Sequence, residues 1–234
     1  MTTNYFGAGV AARYDAATAE MPVEPVVDFL AALAGDGAAL ELGIGTGRIA
    51  VPLAQRGVPV YGIDLSAEMV ARLREKPGAE AIGVTIGDFA TTQVEGTFAV
   101  VYLVFNTIQN LTTQDAQLAC FSNASAHLEP GGCFVIEVGV GGGAPLEVFD
   151  LGDRHVGIDE YEAATQRLVS HHFTLVEGRW ERNSIQFRSV SPGELDLMAR
   201  LAGMRLRERW GGWAGEPFTS ASAKHVSVWE RVPG

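Results

Sequence analysis

The chain has 234 residues, 47% of them hydrophobic, with 17 Lys and Arg against 28 Asp and Glu and a formal net charge of -11. That size and apolar content suffice for one domain with a sizeable core, and the acidic balance disfavours a nucleic-acid partner, whose phosphates need cationic neutralisation. The longest apolar run, residues 98–105, is far short of the ~20 residues that cross a bilayer, so no membrane contact is expected.

The N-terminus shows no basic start or apolar signal core, and Cys120 and Cys133 supply neither a disulfide framework nor a metal quartet. A cytoplasmic protein with two buried thiols is expected. Ala, Leu and Val recur at helical spacing over residues 8–20 and 25–34, which predicts an N-terminal helical cover over residues 1–35. Strands are predicted at 38–42, 58–63, 81–86, 98–104 and 133–138. The last two are continuously apolar, as parallel strands buried on both faces are. Between them a helix over 112–128 opens on a Thr-Thr-Gln-Asp cap and stops before Glu129-Pro130-Gly131-Gly132. This alternation predicts a doubly wound α/β fold.

After Gly139 the pattern changes. Residues 141–145 read as a flexible turn, and 165–177 with 179–190 as two strands of a hairpin joined at Glu177-Gly178. Ser191-Pro192 opens a further helix, and strands at 204–210 and 226–232 end the chain. An exposed face of the small sheet could also make a homodimer.

The first predicted strand runs into Glu41-Leu42-Gly43-Ile44-Gly45-Thr46-Gly47-Arg48, and the second ends in Asp64. Glycine at every second position lets a ligand approach the backbone, and an acidic residue at the next strand end can accept ribose hydroxyls. The third glycine comes one residue too early for a pyrophosphate fingerprint, and no phosphate-cradling Gly-Lys-Ser or Gly-Lys-Thr follows. Glu41 would repel a pyrophosphate and attract a cationic ligand. Taken alone, Asp64 could equally cap the helix that starts near Ser66.

Glu41 to Gly47, Asp64, Ser66-Ala67-Glu68-Met69 and Gly87-Asp88-Phe89, in this order, resemble the class I S-adenosylmethionine-dependent methyltransferases. The resemblance implies a seven-stranded, mostly parallel sheet closed by an antiparallel C-terminal hairpin, with a small antiparallel β insertion, residues 141–190, lining the acceptor pocket. It implies S-adenosylmethionine as methyl donor and S-adenosylhomocysteine as product. The glycine loop would lie on the methionine part, Asp64 on the ribose, Met69 on adenine and Asp88 on its amino group. Tyr14, in Arg13-Tyr14-Asp15, resembles an aromatic residue that closes over the cofactor in small-molecule members. With Leu65, Phe89 and Phe105 beside these positions, the expected cofactor set is Tyr14, Glu41, Gly43, Gly45, Gly47, Asp64, Leu65, Met69, Asp88, Phe89 and Phe105.

In-line transfer from a sulfonium needs no metal and no covalent enzyme intermediate; it needs the acceptor atom held about 3 to 3.5 Å from the methyl carbon. A general base is needed only if the acceptor must lose a proton. The catalytic candidates are His171, His172 and Asn106. Neighbours on a strand point to opposite faces, so His171 and His172 cannot chelate one metal, and no metal is expected. Asn106 follows the fourth strand without the two prolines and aromatic residue of amide- and adenine-methylating members. The acceptor would be an oxygen, nitrogen or carbon of a small molecule. A nicotinamide-dependent oxidoreductase and a non-catalytic cofactor-binding protein stand as rival readings.

Overall fold

The computed structural model describes residues 7–140 and 143–232, so the turn read at 141–145 lies partly outside the described residues. Helices α1 (Ala8–Ala17) and α2 (Glu24–Ala34) lead into β1 (Ala39–Leu42), α3 (Ala50–Gln55), β2 (Val60–Asp64), α4 (Ala67–Arg74), β3 (Gly83–Ile86), β4 (Phe98–Leu103), α5 (Gln114–His127) and β5 (Leu128–Gly139). The seven-stranded sheet has the order β10-β11-β5-β4-β1-β2-β3, in which β10 (Met204–Trp210) and β11 (Lys224–Arg231) are the last strands of the chain. Strands β1 to β5 are parallel. β11 runs against both β5 and β10, so β10 at the edge points with the other five. The strand order reverses between β1 and β4, and in such sheets ligands sit outside the strands' carboxyl ends at that point.

The alternation of side chains builds two cores. Val100 and Tyr102 of β4, with Val135 of β5, join the residues of α2 and α3 on one face. Val101, Leu103, Phe134 and Ile136 meet α5 and α6 (Pro192–Leu201) on the other. Trp229 there packs edge-on to Phe121 at 5.4 Å between ring centroids. Helix α5 is capped by the Thr113 hydroxyl, which accepts from Ala116 N at 3.1 Å. It ends on His127, whose Nε2 accepts from Val94 N. The turn read at residues 129–132 is looped out of a longer strand: pairing steps from Phe98–Leu128 to Val100–Cys133.

Between β5 and α6 lies an antiparallel meander, β6 (Leu146–Leu151), β7 (His155–Glu162), β8 (Arg167–Val176) and β9 (Arg179–Arg188). The sequence predicts only the β8–β9 hairpin, whose turn residues Glu177 and Gly178 both have positive φ, 48° and 80°, as a two-residue hairpin turn requires. β6 and β7 escape the sequence reading because all of β6 is exposed and a bulge between Val148 and Asp150 breaks its alternation. At the other end of the meander, the Arg188 guanidinium reaches Gln117 of α5, Gln166 and Glu194 of α6 at 2.5, 2.6 and 2.6 Å. This nearly buried polar cluster plugs the small sheet onto the body.

Candidate active site

The carboxyl ends of β1 and β2 form one compact unit. Gly43, Gly45 and Gly47 have φ of 79°, 54° and 75°, backbone that a side chain would strain. A Cβ on Gly43 would also lie 2.7 Å from the Thr107 methyl, and one on Gly47 2.9 Å from Leu73. This folds the loop back so that Gly45 N donates to Asp64 Oδ2 at 2.7 Å, while Ser66 N donates to Asp64 Oδ1 at 2.8 Å. The loop amides thus hold the Asp64 carboxylate at the end of β2, an acceptor placed to meet ribose hydroxyls. Burial raises its carboxyl above the usual range, against the lowering effect of the amides of Ser66, Gly45 and Leu65. The Ser66 hydroxyl caps α4 at Met69 N. Met69 is buried, with its methyl carbon 3.4 Å from where a Gly45 Cβ would stand, and Leu65 is half-buried beside Asp64. After β3, Asp88 Oδ1 accepts from Ala90 N at 3.0 Å. Phe89 is buried in the α5-side core, 3.9 Å from the Gly43 Cβ position.

Glu41 is 2% exposed, and its Oε2 accepts from the Tyr102 hydroxyl at 3.0 Å. Burial pushes its pKa to about 8, although Tyr102 and the nearby Arg48 oppose this. The sequence argument treats Glu41 as a standing negative charge; in the structure its burial raises the pKa above neutrality and so favours the protonated carboxyl. Asp15 Oδ1 takes hydrogen bonds from Thr46 Oγ1 at 2.6 Å and Lys76 Nζ at 2.9 Å, so α1 is tied both to the glycine loop and to the segment after α4. Next to it the Tyr14 hydroxyl is raised by burial and bonded to Arg48. The sequence assigns no site role to Thr46, Arg48 or Lys76.

At the end of β4, Phe105 and Asn106 both adopt left-handed backbone, φ 55° and 60°. For a phenylalanine this costs roughly 1 to 2 kcal/mol. Strong anchors hold the turn: Phe105 N donates to Glu137 Oε2 at 3.0 Å, and Asn106 Oδ1 accepts from Gly139 N at 2.7 Å. Arg48 lies over the half-exposed Phe105 ring, 5.7 Å from its centroid.

That turn forms one wall of a cavity of about 440 Å³. Tyr14 supplies a second wall, and the inner face of the small sheet supplies the third through Asp159, Leu168, Ser170, His172, Ile185 and Phe187. A smaller cavity of about 190 Å³ adjoins it and shares Asn106, Asp159 and Leu168. The register of β8 separates the two histidines. His172 lies on the cavity face with Ser170, and His171 on the opposite face, bonded to Ser184 Oγ at 2.8 Å. Among the described residues no group of three or more His, Cys, Asp or Glu is placed to hold a metal. Tyr161 lines the smaller cavity, Trp213 packs against Phe29 of α2, and Trp180 is exposed.

A methyltransferase-domain family profile matches residues 39–132, from β1 into β5. Over 203 residues the chain is 30% identical to the cypemycin N-terminal methyltransferase of a Streptomyces species, covering 82% of each chain. The protein belongs to the class I S-adenosylmethionine-dependent methyltransferases. Among solved structures of methyltransferases, CcbJ from Streptomyces caelestis is 34% identical, with a TM-score of 0.86 over 96% of both chains. The S-adenosylmethionine-bound amino pentose methyltransferase CalS10 from Micromonospora echinaspora shares the fold at 22% identity and a TM-score of 0.70, covering 94% of this chain and 96% of its own. Membership of this methyltransferase family makes the chain an enzyme and sets aside both the oxidoreductase and the non-catalytic reading.

Proposed function

We propose that this methyltransferase transfers the methyl group of S-adenosylmethionine by direct in-line displacement to a nucleophilic atom of a small molecule held in the 440 Å³ cavity. The single observation carrying this reading is that the cavity opens at the carboxyl ends of the strands. There it is walled by Tyr14 and the strained Phe105–Asn106 turn on one side and by the small sheet on the other. In this reading the meander β6–β9 is the acceptor-side unit expected at 141–190, and α1 and α2 are the described part of the cover expected at 1–35. Of oxygen, nitrogen and carbon, nitrogen is favoured by the name of the 30%-identical N-terminal methyltransferase.

The donor residues fit a sulfonium nucleoside: Asp64 offers two acceptor oxygens to ribose hydroxyls, Met69 offers an apolar face for adenine, and Asp88 stands at the end of β3. Leu65 and Phe89 support this wall, and the glycine loop presents backbone with no side chains in the way. Glu41, once ionised, counters a cationic centre. The bound donor supplies a methyl carbon on sulfur with a neutral thioether as leaving group. Tyr14 and Phe105 exclude water from the line of transfer, and Asn106, fixed by Gly139 N, orients the acceptor. Most of the rate advantage then comes from positioning.

No helix among the described residues is long and apolar enough to cross a membrane. The two buried free thiols support a reducing, cytoplasmic setting. The homodimer expected from the small sheet would form at β6, an edge strand exposing Leu146, Val148 and Leu151. Light scattering on the purified protein reads that directly. The transfer itself is tested by calorimetric titration with S-adenosylhomocysteine and by radiolabelled methyl transfer to a panel of amines, alcohols and phenols. Saturable binding that weakens strongly in Asp64→Ala and label on an acceptor are expected; a donor that does not bind would sink the reading.

A further inference from the structure

Behind the cavity wall the small sheet carries a continuous line of ring nitrogens. His172 Nε2 lies 3.2 Å from Ser170 Oγ, and both residues line the cavity. His172 Nδ1 lies 3.1 Å from His155 Nε2, and His155 Nδ1 lies 2.5 Å from Asp150 Oδ2. With Asp150 accepting from His155 Nδ1–H, the neutral form of His155 presents a lone pair at Nε2. His172 must then donate from Nδ1, which leaves its Nε2 lone pair at the cavity, where the Ser170 hydroxyl donates to it. Every link thus has one donor and one acceptor, and the line ends on a carboxylate whose side chain is 47% exposed.

Packing fixes the cavity end of this line. Phe149 is the extra residue at the bulge in β6, and its ring sits 5.4 Å from that of His172. It reaches there because Gly157 opposite has no side chain: a Cβ at Gly157 would lie 2.2 Å from the Phe149 ring. The same face holds Asp159, whose Oδ1 is buried and without a hydrogen-bond partner. An acidic oxygen left unpaired in a cavity that Leu168, Ile185 and Phe187 also line is costly and suits a ligand that brings both a donor and a positive charge.

We propose that the acceptor is an amine that enters as its ammonium, is seated by Asp159, and is deprotonated through His172, His155 and Asp150. This rests on the methyl-transfer reading above and names the acceptor class and the proton path for that site. The ammonium N–H bond breaks, leaving its electron pair on nitrogen as the nucleophile, and the proton bonds to His172 Nε2, directly or through Ser170 Oγ. His172 passes its Nδ1 proton to His155 Nε2, and His155 passes its own to Asp150 and on to water. The methyl group then adds to the freed pair as the carbon–sulfur bond breaks.

The charges around His172 suit a base. Burial, then His155 and His171, hold it below the ordinary imidazole range, and Asp159 works against them. The groups facing it are His155 and Asp159 on β7, Asp150 on β6 behind His155, and Tyr14 of α1 across the cavity; β9 presents the neutral Asn183. At neutral pH the ring is therefore uncharged and free to accept.

Two measurements test the assignment, neither depending on turnover. The first is calorimetry on the S-adenosylhomocysteine-loaded protein with phenethylamine and with 2-phenylethanol, which differ chiefly in the charged nitrogen. The amine should bind at least about tenfold tighter, as a charged hydrogen bond implies, and Asp159→Asn should remove that preference. An amine that binds no tighter than the alcohol, absence of binding included, overturns the seat. The second is nitrogen-detected titration of the histidine rings, which should show His172 as the Nδ1–H form with a midpoint that moves in His155→Asn; an unmoved midpoint overturns the relay. With an amine that is turned over, His155→Asn should lower kcat several-fold and shift its acid limb while KM holds. Failure of label transfer to every amine, with these two results intact, would count against the transfer reading alone.

Discussion

The two halves of the site are held in place by opposite means. The donor half rests on the main sheet, where β1, β4 and β5 are buried on both faces and the side chains around the loop interlock so closely that Gly43 and Gly47 cannot carry a Cβ. The acceptor half rests on a meander whose strands are mostly half-exposed, docked through the polar plug at Arg188 and stiffened by histidine and carboxylate contacts. Continuous apolar packing leaves backbone little room to shift; hydrogen-bond networks fix particular atoms and their protons. Under the proposed function, a methyl donor that never changes suits the first, and an acceptor to be recognised and deprotonated suits the second.

Removing the plug is the most severe way to separate the halves. Arg188→Ala leaves the Glu194 carboxylate, now held low by Gln166, Arg188 and Gln114 against the raising effect of its own burial, without its cation. Loss of one partner of a buried pair costs about 3 to 5 kcal/mol. Urea unfolding should show a loss of that size, with S-adenosylhomocysteine affinity retained at low temperature. Equal loss of donor binding would show that the halves are not separable. Asp64→Ala does the reverse: about 3 kcal/mol of charge-assisted hydrogen bonding to the ribose disappears, roughly a hundredfold in donor Kd by calorimetry, while phenethylamine affinity holds.

Glu41 sharpens the comparison through pH. In the free protein it keeps its proton up to about pH 8, and a bound cationic donor draws it into the ionised form. Binding below pH 8 therefore releases a proton, so donor affinity rises with pH from 6 towards 8 and levels above it. Calorimetry in buffers of different ionisation heat should detect that proton, and Glu41→Gln should abolish it. The smallest effect is expected at Phe105→Gly. Relief of left-handed strain, about 1 kcal/mol, offsets the lost contact with Arg48, so the unfolding midpoint should barely move while label transfer falls. A large loss of stability would mean that the turn is not strained.

The donor half was legible because its signals are local. Glycines at 43, 45 and 47 and an acid at a strand end are read off neighbouring residues, and the apolar continuity of β4 and β5 announces strands buried on both faces. The acceptor half was legible only in its β8–β9 hairpin. β6 carries Glu147 and Asp150 among exposed apolar residues, a composition with little strand preference. Which of two adjacent histidines faces a cavity depends on what lies across the sheet. The raised pKa of Glu41 and the positive φ of Phe105 also escape the sequence, since each depends on residues distant in the chain: the packing that buries Glu41 in the first case, Glu137 in the second.

The sparse core of the small sheet has an evolutionary consequence. Among the hydrophobic residues of its four strands only Val169 is buried, while the cavity-facing Leu168, Ile185 and Phe187 are partly exposed. Substitutions there sacrifice little folding energy, whereas those around the glycine loop meet a packed wall. The chain can therefore drift towards new acceptors through many neutral steps while its donor stays fixed.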